Sequence, residues 1–183
     1  MAIILASMSP RRKEILTELE MDFKIIVSDA DESSNEKDPA KLVEILSERK
    51  ASAISNKVSE NDTIIAADTV VVLDDKILGK PKDKNDALNM LSALSNNLHK
   101  VITGVCIKKG NKTIISHDTT NVYFKKLSEK EINDYLSIDE YVDKAGSYAI
   151  QGVGGNFVDK IEGSYSNVVG LPKELLIKML KSI

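Results

Sequence analysis

The sequence predicts an α/β protein built on a mixed sheet, and three observations carry that expectation. Short runs of β-branched and apolar residues alternate with segments whose apolar residues recur at helical spacing. Several helical segments open on a capping residue followed by proline, or by Glu three positions later. Two pairs of strand-like runs meet at the short turns Asp74-Asp75 and Gly110-Asn111, so some neighbouring strands are hairpins and the sheet is not purely parallel.

Taken in order, Ala2–Ala6 reads as a short buried strand. Ser9 is the expected N-cap of the next helix, with Pro10 at the first helical position, where a missing N–H costs nothing. Ile15, Leu16 and Leu19 form that helix's apolar face, and Phe23–Val27 is a second strand. Ser28 to Asp38 is a polar loop carrying Asp29, Asp31, Glu32 and Glu36. Asp38-Pro39 repeats the cap-and-proline start before Leu42, Val43, Ile45, Leu46 and Ala53. Thr63–Ala67 and Thr69–Leu73 are strand-like runs on either side of Asp68, and Lys76–Leu78 returns from the first turn. Asp83 caps a helix carrying Ala87, Leu88, Leu91 and Leu94. Val101–Lys108 and Thr113–Phe124 are the arms of the second hairpin. Ser128 and Glu131 make a capping box ahead of Ile132, Tyr135 and Leu136. Leu171-Pro172 leads into a last amphipathic helix through Leu175, Leu176, Met179 and Leu180.

At 183 residues the chain fits one domain, or one domain with two lobes. Hydrophobic residues at 42% and charged residues at 29% are ordinary globular values. A net charge of −3, with five Tyr, three Phe and no Trp, argues against a nucleic-acid-coating protein. The single cysteine, Cys106, rules out an intrachain disulfide and a Cys-based zinc site. The apolar run Ala2–Ala6 is too short for a signal sequence, and no run approaches the length of a membrane span. A soluble cytoplasmic protein is the expectation.

The richest stretch for chemistry is Gly146–Gly152 followed by Gly163–Pro172, where glycines, small hydroxyls and amides crowd together. Ordinary strands and helices tend to exclude such residues, so backbone and amide groups gathered around a small anionic ligand are expected. Ser7-Met8-Ser9-Pro10-Arg11-Arg12 joins a strand to a helix N-terminus, which favours anions, with two hydroxyls and two guanidiniums to add. An ordinary N-cap with solvated arginines is the plainer reading. Arg12 and Lys80 complete no apolar face, so their removal is expected to leave the fold nearly untouched.

Asp68 interrupts what would otherwise be one long apolar strand, and a buried carboxylate is costly unless paired. It is a candidate general base or metal ligand; a bulge or a strand end at the surface is the alternative. Glu32 could share a hard divalent cation with Asp68, but spacing does not select it over Asp29 or Asp31. Lys50 lies on a helix that could simply be solvated, and Lys80 sits in Gly79-Lys80-Pro81, a rigid frame for a phosphate cation or a plain loop. His99 and His117 lack any partner pattern for nucleophilic catalysis and read as structural. No nucleophile elbow, Walker lysine loop or dinucleotide glycine motif is present.

Taken together, Leu5-Ala6-Ser7 with Ser9-Pro10-Arg11-Arg12, Ala67-Asp68-Thr69, Gly79-Lys80-Pro81, Thr103-Gly104-Val105, Lys144-Ala145-Gly146 through Ile150-Gln151-Gly152, and Asn167–Pro172 resemble the Maf family of nucleoside triphosphate pyrophosphatases. The resemblance spans nearly the whole chain in family order. It implies one two-lobed domain over residues 1–183, with a long twisted mixed β-sheet flanked by helices and a central cleft, like the inosine triphosphate pyrophosphatases. It implies hydrolysis of a nucleoside triphosphate to monophosphate and pyrophosphate with a divalent metal, Mg²⁺ or Mn²⁺. By motif position Asp68 matches the proton acceptor, and Arg12, Lys50 and Lys80 match phosphate-facing cations. Glu32 matches an acidic cleft residue. Arg12, Thr69 and Gln151 match positions tied to substrate choice, with Ser7 and Arg11 beside them. The stretch Asn96-Asn97-Leu98-His99 departs from the family, whose members often carry a Gly and then a basic or polar residue before the His.

Ile150-Gln151-Gly152 and Ser164–Val169 resemble the branch acting on dTTP and UTP rather than the one acting on 7-methyl-GTP. The expected partner is therefore a small-molecule nucleotide, with no nucleic acid and no membrane, and a homodimer as the candidate assembly. House-cleaning of the nucleotide pool, with a link to arrest of cell division, follows from the same resemblance. The rivals are a non-catalytic regulator of septum formation and a metal-dependent phosphomonoesterase, the latter separable by its product, orthophosphate.

Overall fold

The computed structural model describes all residues, Met1 to Ile183. Along the chain run β1 (Ile3–Leu5), α1 (Pro10–Glu18), β2 (Phe23–Ile25), α2 (Pro39–Ala53), β3 (Thr63–Leu73), β4 (Lys76–Leu78), α3 (Lys84–Leu94), β5 (Leu98–Lys109), β6 (Lys112–Phe124), α4 (Glu129–Leu136), β7 (Val158–Glu162), α5 (Tyr165–Val169) and α6 (Lys173–Leu180). The seven strands form one sheet in the order β2-β1-β3-β5-β6-β7, with β4 paired to β3. It is mixed, as the hairpin turns require: β1 runs parallel to β2 and β3, while β4 and β7 are antiparallel to β3 and β6.

Most helix starts follow their local chemistry. Asp38 Oδ1 accepts from the Ala40 and Lys41 amides, and Asp83 Oδ1 accepts from the Asp86 amide at 2.8 Å. Ser128 and Glu131 close a reciprocal capping box. Asp74 and Asp75 adopt φ of 47° and 62°, the left-handed pair that a two-residue hairpin turn demands. Ser9 departs from expectation. Its side chain makes no capping bond; its amide instead donates to Ser7 Oγ at 3.2 Å, and α1 starts on Pro10 and the Ser9 carbonyl.

The two runs flanking Asp68 are one continuous strand of 11 residues, so Asp68 lies inside β3 and not at a bulge or strand end. The second strand stops at Ile25, short of Val27. Two elements carry no clear sequence signal. Strand β7 is mostly exposed and polar, and α5 forms within the glycine-rich stretch.

Contacts divide the chain into two compact units. The first comprises Met1–Thr69, Thr103–Asp118 and Gly170–Ile183. Here the chain passes from β1 through α1 to β2 on one side of β1, then through α2 to the start of β3 on the other. Right-handed crossovers in opposite directions place α1 and α2 on opposite faces of the sheet. Ile4, Ala6, Ile64, Ala66 and Cys106 pack with Ala51 and Ile54 on the α2 face. The carboxyl end of β1, where the strand order reverses, is where open α/β sheets form ligand sites.

The second unit comprises Val70–Ile102 and Thr119–Val169. Its core joins Ala87, Leu91 and Leu94 of α3 and Ile132, Tyr135 and Leu136 of α4 to Val101, Val122 and Phe124 of the sheet. Aromatic edges meet faces through His99, Phe124, Tyr148, Phe157 and Tyr135. No helix is long and apolar enough to cross a membrane.

Candidate active site

Alternation along β3 creates two clusters from neighbouring residues. Side chains at Ile64, Ala66 and Asp68 share the α2 face, whereas Thr69 points to the α1 face. On the first face Lys50, from the last turns of α2, reaches Asp68 Oδ1 at 2.5 Å and Glu32 Oε1 at 2.9 Å. The Lys50 and Asp68 side chains are only 13% and 12% exposed, which makes this a largely desolvated pair. Glu32 at 54% forms its open side. A carboxylate inside an apolar strand is tolerated because this ammonium meets it. Lys50 is therefore not a solvated helix lysine.

The position of α2 depends on Gly104 of β5. A Cβ there would lie 2.4 Å from the Val43 carbonyl carbon and oxygen, so only glycine lets the helix backbone settle on the strand. Two turns onward that helix delivers Lys50. In the acidic loop, the three carboxylates the sequence left open go different ways. Asp31 accepts from the Ser33 amide and hydroxyl, Asp29 approaches Lys57 at 3.7 Å, and Glu32 alone of the three pairs with Lys50. Arg49 holds the loop by donating to the Asp31 and Ser33 carbonyls.

On the other face Arg12, in the first turn of α1, is a clasp. Its Nε donates to the Gly170 carbonyl at 2.9 Å, Nη1 to Ser7 Oγ at 3.2 Å and Nη2 to Thr69 Oγ1 at 3.2 Å. Gly170 has φ of 118°, which turns its carbonyl toward the guanidinium. Thr69 Oγ1 also lies 3.0 Å from Thr103 Oγ1. Burial pushes the Arg12 pKa below its usual value, and the Asp68 carboxylate opposes that shift. The expectation that Arg12 is dispensable to the fold is corrected by this geometry: three chain segments converge on its guanidinium. Arg11 beside it is half-buried, with Nε fully enclosed.

Ser7, Arg11, Arg12, Glu32, Lys50, Asp68 and Thr69 all belong to the first unit. Lys80 and Gln151 belong to the second, and both are exposed. There the Gly146 amide donates to the Gly79 carbonyl at 3.1 Å, tying the Gly79-Lys80-Pro81 loop to the segment that leads to Gln151. Tyr148 OH and His99 Nε2 are 2.9 Å apart in the core. The glycine-rich stretch spends part of its polarity inward. Asn167, fully buried, donates to the Val101 carbonyl and to Thr120 Oγ1, and Thr120 also accepts from the Ser164 amide. Sequence reasoning assigned no role to Thr103, Gly104 or Gly170. Their only signal was membership of the shared motifs.

Asp68 and Glu32 are hard oxygen donors with Lys50 on one oxygen of each. A divalent cation held by one or two carboxylates and completed by phosphate oxygens suits such a pair. No group of three or more His, Cys, Asp and Glu side chains offers a self-sufficient metal cage.

Comparison with known proteins agrees with the motifs. Relatives named dTTP/UTP pyrophosphatase are 48% identical in Thermoanaerobacter pseudethanolicus, covering 99% of this chain and 96% of the relative. In Alkaliphilus metalliredigens the figure is 51%, over 93% and 90%. In Pyrococcus abyssi it is 48%, over 98% and 95%. The solved structure of the Staphylococcus aureus Ham1 protein is similar over 68% of this chain and 72% of its own, with a TM-score of 0.47 and 15% identity. The profile of the Maf-like proteins matches residues 2–183, and with near-half identity to full-length relatives this chain belongs to the Maf-like family.

Proposed function

We propose that this chain hydrolyses dTTP and UTP to dTMP and UMP, releasing pyrophosphate, and so clears the nucleotide pool in the cytoplasm. The observation that carries this reading is the Lys50–Asp68 pair, a carboxylate fixed by an ammonium inside an apolar strand beside the Arg12 clasp. The names of the relatives support the same substrates.

Lys50 takes Asp68 Oδ1, which leaves Oδ2 to orient a water and receive its proton as that water attacks the triphosphate. Lys50 and the guanidiniums of Arg12 and Arg11 offset the negative charge that grows on the departing pyrophosphate. A divalent cation held by Asp68 and Glu32 would supply Lewis-acid neutralisation of the same charge. Ser7 fixes one edge of the guanidinium and Thr69 another. For Lys80 as a phosphate cation and Gln151 as the base reader, the reading rests on the family motifs. A neutral amide both donates and accepts, which suits the O4/N3–H edge of uracil or thymine; a carboxylate only accepts. A site matched to one edge rejects others by leaving buried polar groups unpaired.

The test is steady-state kinetics on dTTP, UTP, CTP, GTP and 7-methyl-GTP, with product identification. dTTP and UTP should lead, and pyrophosphate should be the released product. Gln151→Glu should lower kcat/KM for both at least ~10-fold, the scale of one mismatched polar contact. Preference of the unsubstituted protein for 7-methyl-GTP, or release of orthophosphate, would overturn the reading.

A further inference from the structure

Gln151 stands at the tip of a tight turn. The Gly152 amide donates to the Ala149 carbonyl at 3.2 Å, which makes Ile150 and Gln151 the two central residues. A second turn follows at once, with the Gly155 amide on the Gly152 carbonyl at 3.0 Å. The two turns fold against each other. A Cβ on Gly155 would lie 2.3 Å from the Ile150 carbonyl oxygen, and one on Gly154 would lie 3.0 Å from the Ala149 amide nitrogen and carbonyl oxygen. Those neighbours are backbone and cannot yield. Gly152 is different. A Cβ there would lie 1.4 Å from Glu140 Oε1, the end of a flexible side chain, and the φ of −110° is one that alanine adopts freely. The missing side chain at Gly152 therefore makes room for Glu140 and is not demanded by the backbone.

Glu140 uses that space to hold the turn. Its Oε2 accepts from the Val153 amide at 2.9 Å, a charge-assisted bond and so stronger than a neutral one. Tyr141 beside it is buried in the core of the second unit, which fixes Glu140 at its base. On the entry side of the turn, Tyr148 is held in the same core by His99. Gln151 thus lies between two anchors, the Tyr148–His99 bond before it and the Glu140 carboxylate after it. We propose that Glu140 is a positioning residue for base selection, whose carboxylate fixes the turn that presents the Gln151 amide to the base. An amide that reads a base through one donor and one acceptor discriminates only while its orientation is held. The inference rests on the reading of Gln151 given above, while the geometry that motivates it is that of the turn itself.

Glu140→Ala removes the acceptor, and Glu140→Gln keeps its length and one acceptor oxygen. Glu140→Ala should raise KM for UTP and dTTP about tenfold, the scale of one lost hydrogen bond, with kcat changed less than about threefold. Glu140→Gln should stay within about threefold of the parent KM. Gly152→Ala should match Glu140→Ala, because its methyl displaces the carboxylate from the Val153 amide. The double variant should be no worse than either, since both changes break the same bond. Additive losses, a Glu140→Gln variant as impaired as Glu140→Ala, or a lowered melting temperature with KM unchanged would each overturn the proposal. Titration calorimetry separates base from phosphate. Glu140→Ala should weaken UMP binding about tenfold and leave inorganic triphosphate within about twofold of the parent. Equal weakening of both ligands, or no change in UMP, would overturn the proposal. An unsubstituted protein that cleaves no nucleoside triphosphate, or prefers one other than dTTP and UTP, would sink the proposed activity, and the two titrations would then decide the Glu140 assignment.

Discussion

Asp68 stands where a strand between Ala67 and Thr69 would ordinarily carry a valine, and Lys50 is what makes its charge tolerable. Asp68→Asn keeps the shape and an acceptor for Lys50 while removing the proton-accepting carboxylate. Turnover of dTTP should fall at least ~100-fold in a variant that still folds, because Glu32 stays on Lys50. Near-normal turnover by the folded variant would remove Asp68 from the mechanism. Arg12 and Lys80 separate at this scale as well. Arg12→Ala removes the bonds to the Gly170 carbonyl and to the Ser7 and Thr69 hydroxyls, so it should cost roughly 2–4 kcal/mol of stability besides raising KM. Lys80 is exposed, and Lys80→Ala should spare stability to within ~0.5 kcal/mol. Denaturant titration of the two variants side by side checks this. Equal stabilities would mean the Arg12 clasp contributes nothing to the fold.

At the scale of elements, α2 is the part on which the proposed chemistry hangs, because it carries Lys50 and is seated by a glycine on β5. Gly104→Ala would force a methyl to 2.4 Å from the Val43 carbonyl, and no flexible side chain is there to yield. The backbone of α2 must move instead. We expect a loss of ~1–3 kcal/mol from overpacking, together with a fall in kcat as Lys50 is drawn from Asp68. A variant as stable and active as the parent would show that α2 tolerates the shift. The local signals at element ends proved dependable where a single interaction sets the conformation. Asp38, Asp83 and Ser128 all cap as their spacing predicts, and Asp74-Asp75 turns as it must. They failed where the neighbourhood decides. Ser9 sits in a capping sequence, yet its amide turns to Ser7, whose hydroxyl is already held by Arg12.

For the molecule as a whole, the sharpest solution property is the pH dependence of stability. His99 is buried among Phe124 and Tyr148, and desolvation lowers its pKa from 6.5 to about 4. The folded state keeps the imidazole neutral while the unfolded chain protonates it at its ordinary value. The contribution is therefore fully present above pH 6.5 and is lost as pH falls toward about 4. The full shift corresponds to on the order of 3 kcal/mol. Urea denaturation across this window should show the decline, and His99→Phe should flatten its slope. An unchanged slope would assign the decline to carboxylates instead.

The sequence by itself determined the α/β class, the mixed character of the sheet, most helix starts and both tight turns, because these depend on residues within a few positions of one another. It also marked Asp68 as anomalous, since a lone carboxylate among Ile, Ala and Val needs an explanation on its face. Choosing Glu32 over Asp29 and Asp31, turning Lys50 from a solvated helix lysine into the partner of Asp68, and making Arg12 a clasp on Ser7, Thr69 and Gly170 were decided only by the tertiary structure. Apart from the Arg12–Ser7 bond, each of those contacts joins segments far apart in the chain. They meet because the strand order reverses at β1 and sends α1 and α2 to opposite faces, so that adjacent residues of one strand serve different clusters. Spacing along the chain holds no record of that reversal.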